Sequence, residues 1–163
     1  MLEEFGVIAP PVPVMDIAKD LGIKVITQRY PDDNVSGFYM RQGAERVIGV
    51  NQSHAPNRRR FTVAHELGHV LLTAHDDLHI DRSLMLRDPL SHQGTDWREV
   101  EANLFAAELL LPRDMVADVL KKRGGLDPDD ARAVREVADH FGVSPQALLI
   151  RLTSLNFLLS SAS

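Results

Sequence analysis

Apolar residues follow two different periods along the chain, and the change of period divides a strand-rich first third from a helical remainder. Near the start, four apolar positions have the spacing of one helix face, and they are Val14, Ile17, Ala18 and Leu21. Three short strand-like runs follow at residues 23–27, 35–40 and 46–51, separated by turn-forming residues. This part of the chain predicts a helix followed by a small antiparallel three-stranded sheet.

Helical spacing dominates the rest of the chain. A helix is predicted over residues 57–74, where the buried stripe would consist of Val63, Leu67, Val70, Leu71 and Ala74. Residues 76–95 are polar and without a period, which is typical of a long functional loop. Further helices are predicted over residues 96–111, 113–123, 128–141 and from Pro145, with Asp127 and Ser144 as N-terminal caps. The expected fold class is α+β, with the sheet first and the helices after it.

Composition narrows the class of protein. The 163 residues suit one compact domain, with a helix and sheet at 12–56, three central helices at 57–123 and C-terminal helices at 127–155. The chain has no cysteine, so a metal site must use His, Asp or Glu. It has no membrane-length apolar run and no secretory signal, which favours a cytoplasmic protein. The net charge of −5 argues against a broad nucleic-acid-binding surface.

The candidate chemistry lies in His65-Glu66-Leu67-Gly68-His69, within the predicted helix 57–74. Two histidines four residues apart are about 40° apart around a helix, so both imidazoles can reach one ion. Glu66 would not be a ligand. It is predicted to be the general base, which takes a proton from the water that attacks a peptide carbonyl. The alternative is two surface histidines on an amphipathic helix.

A catalytic zinc site needs a third protein ligand and an open position. Glu101 lies on the next predicted helix, and His75 follows His69 by six residues. We favour Glu101, because zinc peptidases that use a histidine at the position of His75 have a helix-breaking glycine where this chain has Leu72, and here the helical pattern continues. Glu99 and Glu108 on the same helix are interpreted as solvated carboxylates, with a second-sphere role as the alternative for Glu108. Asn103 could form a hydrogen bond to the first helix or be an ordinary polar helix residue.

Two segments resemble the ImmA/IrrE metallopeptidases. They are Arg59-Arg60-Phe61-Thr62-Val63-Ala64-His65-Glu66-Leu67-Gly68-His69 and Glu99-Val100-Glu101-Ala102-Asn103-Leu104-Phe105-Ala106-Ala107-Glu108-Leu109-Leu110. The similarity extends from about residue 12 to residue 152. It implies a zincin-type helical bundle in which His65, His69 and Glu101 hold Zn²⁺ and Glu66 is the base. Mn²⁺ or Fe²⁺ also suits such a ligand set.

The resemblance also implies a function: an intracellular endopeptidase that cleaves a helix-turn-helix repressor of the XRE type, relieving repression in phage induction or stress responses. A second hypothesis is a DNA- or repressor-binding regulator with a structural metal, using the helix-turn-helix-like segment 133–152. In that segment Gln146 and Arg151 are the polar candidates, although packing explains it better. A third is an inactive antitoxin-like scaffold.

Two features of the cleft are also predicted. The strand at residues 35–40 is expected to lie beside the cleft and to pair with an extended substrate. Tyr39 and His92 are the candidates for stabilising the oxyanion that develops during peptide hydrolysis.

Overall fold

The computed structural model describes residues 2–72, 78–82 and 97–158. Its elements in chain order are α1 (Val14–Asp20), β1 (Lys24–Gln28), β2 (Val35–Gln42), β3 (Glu45–Asn51), α2 (Pro56–Leu72), β4 (Leu78–Arg82), α3 (Trp97–Leu110), α4 (Arg113–Arg123), α5 (Ala131–Phe141) and α6 (Pro145–Ser154). The chain divides into two compact units, Val14–Ala106 and Met1–Pro13 with Ala107–Ser163. The predicted α+β class is confirmed.

The sheet differs from the prediction in two respects. It has four strands in the order β1-β3-β2-β4, and β1 pairs with β3 in parallel, while β2 is antiparallel to both of its neighbours. The extra strand, β4, falls within the segment 76–95 that was predicted to be a loop, so that prediction is wrong at residues 78–82. The rest of that segment lies outside the described residues.

β2 lies inside the sheet rather than at its edge. Its backbone pairs with β3 on one side and with β4 on the other. No free edge of β2 remains for an added strand, so the prediction that residues 35–40 pair with an extended substrate is wrong. The strand at that border of the sheet is β4.

Helix α2 packs closely against this sheet. A Cβ atom on Gly37 of β2 would lie 2.5 Å from Cγ2 of Thr62 in α2, so only glycine permits this approach. Every residue of α2 from Thr62 to His69 is buried, including two histidines and a glutamate. Burial of three ionisable side chains on one helix is costly unless they are paired or bind a ligand, which marks this part of α2 as functional.

The second unit contains α4, α5 and α6, and its helix ends follow familiar capping rules. Gly124 and Gly142 end α4 and α5 in the left-handed conformation, and the Ser144 hydroxyl caps α6 by accepting from the Ala147 N–H at 3.1 Å. The predicted cap at Asp127 is wrong by three residues. The carboxylate of Asp130 caps α5 instead, accepting from the backbone N–H groups of the first turn.

Within the described part of the chain, no helix is both long and apolar enough to cross a membrane.

Candidate metal centre

The two histidines of the motif lie together on the buried face of α2. His65 is 2% exposed and His69 5% exposed, and their Nε2 atoms are 3.1 Å apart. Nitrogen atoms at this distance need either a shared proton or a cation between their lone pairs. One helical turn separates the residues, so α2 itself fixes this spacing.

Glu99 of α3 completes a group of three. One of its carboxylate oxygens lies 3.3 Å from His65 Nε2 and the other lies 3.2 Å from His69 Nε2. Burial acts to raise the pKa of Glu99, but hydrogen bonds from the two imidazoles outweigh it and hold that pKa well below its usual range. The carboxylate is therefore ionised at neutral pH, which is the form that binds a cation.

Glu101, which the sequence analysis places at the third position, is not brought to the histidines. Its side chain is exposed to solvent, whereas Glu99 takes the position expected of it. The reason is helix phase: two residues along α3 correspond to a rotation of about 200°, so Glu99 and Glu101 lie on opposite faces. The buried face of α3 carries Glu99 together with Ala102 and Ala106 at spacings of three and seven residues.

Asn103 supports the first histidine from the same face of α3. His65 Nδ1 lies 3.1 Å from Asn103 Oδ1. An amide oxygen can only accept, so His65 Nδ1 carries a proton, and Nε2 is the ring nitrogen that faces His69 and Glu99. An outer hydrogen bond of this kind is the usual way in which a metal-binding histidine is held in one tautomer.

The donor atoms fit a divalent metal. Two imidazole nitrogens and a carboxylate oxygen form a group whose donor atoms all lie within 4.8 Å of one another. In a tetrahedral site with bonds of about 2.0 Å, ligand atoms are separated by roughly 3.3 Å. The two imidazole nitrogens, 3.1 Å apart, are close to that spacing, and each lies 3.2 or 3.3 Å from one of the two carboxylate oxygens of Glu99. A set of two nitrogens and one oxygen that leaves further positions open is typical of catalytic zinc.

Glu66 follows His65 and is completely buried. Its charge also acts on Tyr30, whose pKa is raised first by burial of the hydroxyl group and further by the carboxylate of Glu66. The Tyr30 hydroxyl and the Phe38 ring lie so close to Gly49 that a Cβ atom there would approach within 2.6 Å and 2.3 Å. Tyr30 was not singled out in the sequence, where nothing distinguishes it from other loop aromatics.

The remaining predicted residues are not part of this group. Tyr39 is buried in β2, paired with Ile48 of β3, and its proposed oxyanion role stays a prediction. His75 and His92 lie outside the described residues. Glu108 pairs with Arg151 within the other compact unit of the chain, and its second-sphere role stays a prediction.

The site is a candidate metal centre in an α+β fold, and comparison with known proteins shows the family of the chain. The model of the family Peptidase_M78, described as IrrE N-terminal-like domain, matches residues 18–153. The chain belongs to this family, which confirms the predicted ImmA/IrrE resemblance.

Three relatives bear names that refer either to a radiation response or to a phage immunity region. The chain is 34% identical over 110 residues to "Radiation response metalloprotease IrrE" of Deinococcus radiodurans, covering 66% of this chain and 30% of that protein. It is 36% identical over 109 residues to the protein of the same name in Deinococcus deserti, covering 65% and 35%. It is 32% identical over 114 residues to "Uncharacterized immunity region protein 2" of Bacillus phage phi105, covering 69% and 66%. The chain thus spans about a third of the two IrrE proteins.

Among solved structures, a Mycobacterium tuberculosis transcriptional regulator has the same fold. Its TM-score is 0.63 at 21% identity, and the match covers 94% of this chain and 44% of that one. At this identity the likeness concerns the fold alone.

Proposed function

We propose that this protein is a zinc-dependent endopeptidase that cleaves a helix-turn-helix transcriptional repressor of the XRE type. The observation that carries the hydrolytic part is the group formed by His65, His69 and Glu99, with Glu66 on the same buried helix. The name of the IrrE relatives and that of the phage immunity region relative support a metallopeptidase and a regulatory setting.

In this proposal His65, His69 and Glu99 hold the metal. Zinc, when bound, acts as a Lewis acid that polarises the scissile carbonyl and makes water more acidic. The protein supplies the rest: Asn103 keeps the His65 tautomer, and the ionised Glu99 balances part of the cation's charge. Mn²⁺ or Fe²⁺ would suit the same donors, so identification of the ion belongs to the test.

The role of Glu66 is proton transfer. Its carboxylate takes a proton from the attacking water and delivers it to the nitrogen of the departing amine, so that the peptide bond breaks without a charged amide leaving group. A completely buried carboxylate is suited to this role, because bulk water does not compete for its oxygens.

The experiment is to incubate the zinc-loaded protein with the repressor encoded nearest to its gene and to resolve fragments by mass spectrometry. Glu66→Gln keeps the size of the side chain and removes the base, so cleavage should fall by at least about 100-fold while zinc still binds. Glu45→Gln, an exposed position on β3, is the matched control and should cleave normally. Undiminished cleavage by Glu66→Gln would refute the mechanism, and an intact repressor with the wild-type protein would refute the substrate.

The DNA-binding alternative receives little support from α6. Arg151, its only arginine, is 8% exposed and is engaged internally with the Leu111 carbonyl at 3.1 Å and with the Glu108 carboxylate. A guanidinium used in this way cannot read a base edge without breaking the packing of α6.

A further inference from the structure

The two helices that carry the metal ligands approach closely where Gly68 of α2 meets Ala102 of α3. A Cβ atom on Gly68 would lie 2.9 Å from Ala102 Cα, 3.2 Å from Ala102 O and 3.2 Å from Cδ1 of Phe105. Real Cβ atoms essentially never come closer than 3.0 Å to another heavy atom. The glycine is therefore required by space.

Glycine at this position lowers the stability of the helix, and the helical backbone conformation of the residue does not require glycine. Gly68 lies inside a regular helix, where glycine is less stable than alanine by about 0.5–1 kcal/mol. The helix therefore gives up stability at a residue that faces the backbone of α3. A contact of this kind points to a requirement for close approach of the two helices.

The contact lies within one turn of every proposed ligand. Gly68 is three residues after His65 and directly before His69, and Ala102 is three residues after Glu99. On the histidine side the ligands are rigidly part of α2, whereas Glu99 comes from α3 and reaches them only if the two helices stay together. Its oxygens lie 3.2 and 3.3 Å from the two Nε2 atoms, so there is little spare distance.

We propose that Gly68 is a positioning residue that sets the separation of α2 and α3 and thereby delivers Glu99 to the metal. The inference depends on the proposed metal site. Two of the three contacts are with backbone atoms of Ala102, which no rotamer change can move aside. A methyl group at this position must therefore push α3 away, and Glu99, with a side chain 25% exposed, is the ligand that loses its place.

The experiment is a double-mutant cycle on zinc affinity, measured by competition with a chromophoric chelator. Glu99→Gln should weaken binding by at least about ten-fold in the wild-type background, and Gly68→Ala should do so by about 10–100-fold. In the Gly68→Ala background, Glu99→Gln should then cost almost nothing, because the carboxylate is already out of reach. An equal cost of Glu99→Gln in both backgrounds would overturn the inference.

Further measurements separate positioning from a general loss of structure. Thermal unfolding of the metal-free proteins should show Gly68→Ala folded, and Leu71→Ala, an exposed change on the same helix, should leave zinc affinity unchanged. The absorption spectrum of the Co²⁺-loaded Gly68→Ala protein should match that of Co²⁺-loaded Glu99→Gln. A Co²⁺ spectrum identical to that of the wild type would count against positioning.

If Gly68→Ala alone does not fold, the cycle is repeated with Phe105→Leu added. This change relieves the contact with the ring and leaves the two contacts with the Ala102 backbone. If Glu99→Gln weakens zinc binding in that protein as much as in the wild type, repacking of the Phe105 side chain is sufficient to restore the site. That result would overturn the inference. Failure of the wild-type protein to bind zinc, or absence of any Glu99→Gln effect there, would instead refute the metal site and the inference with it.

Discussion

Replacing Asn103 by alanine tests whether the hydrogen bond to His65 holds the site in its metal-binding state. The change removes the Oδ1 atom that lies 3.1 Å from His65 Nδ1. His65 is only 2% exposed, so solvent cannot readily supply a new acceptor to its Nδ1–H group. A buried donor left without an acceptor costs about 1–3 kcal/mol, and loss of an outer hydrogen bond to a ligand lowers metal affinity by about 10–100-fold.

The assay is zinc affinity by chelator competition at neutral pH, with Asn103→Asp as the matched control. Asn103→Ala should bind zinc about 10–100-fold more weakly, which corresponds to about 1.4–2.7 kcal/mol. Asn103→Asp keeps an oxygen acceptor in the same place and should bind at least as well as the wild type. Equal losses in both variants would refute the reasoning, because the acceptor would then not be the property that matters.

Other consequences can be measured on the same protein. Glu99→Gln should lower zinc affinity by at least about ten-fold while Glu101→Gln leaves it unchanged; the reverse order would restore Glu101 as the ligand. Arg151→Ala should lower the free energy of unfolding by about 1–3 kcal/mol in urea titrations, since it leaves the Leu111 carbonyl unpaired. An unchanged stability with weakened DNA binding would instead favour the regulator hypothesis. Ser144→Ala should cost about 1 kcal/mol of stability through loss of the α6 cap, and no change would mean that another group caps the helix.

Local signals predicted most of the helices, because capping and periodicity act over a few residues. Helix α4 has the predicted bounds, with Gly124 as its end, and Ser144 caps α6 as expected. The sheet was harder to predict from the sequence than the helices. The pairing of β1 with β3 joins residues more than twenty positions apart, and the alternation in β4 rests on Leu78 and Ile80 alone, which is too short to predict a strand within a polar segment.

The motif alone did not identify the third residue of the metal group, because the phase of α3 decides which glutamate faces the histidines. Glu99 was interpreted as a solvated carboxylate, and Glu101 was favoured as the ligand on that helix. The periodicity of α3 contains the better signal: Glu99, Ala102 and Ala106 share the buried face, whereas Glu101 shares its face with the exposed Trp97 and Leu104. The role of Gly68 could not be predicted for a different reason, because a close approach between two helices is not visible in the sequence of either helix alone.

The most direct test of the metal centre is anomalous diffraction from crystals of the zinc-loaded protein, recorded on both sides of the zinc absorption edge. We expect one strong peak about 2.0–2.1 Å from Nε2 of His65, Nε2 of His69 and a carboxylate oxygen of Glu99. A peak bound by Glu101 or His75 in place of Glu99, or no peak at the two histidines, would contradict it.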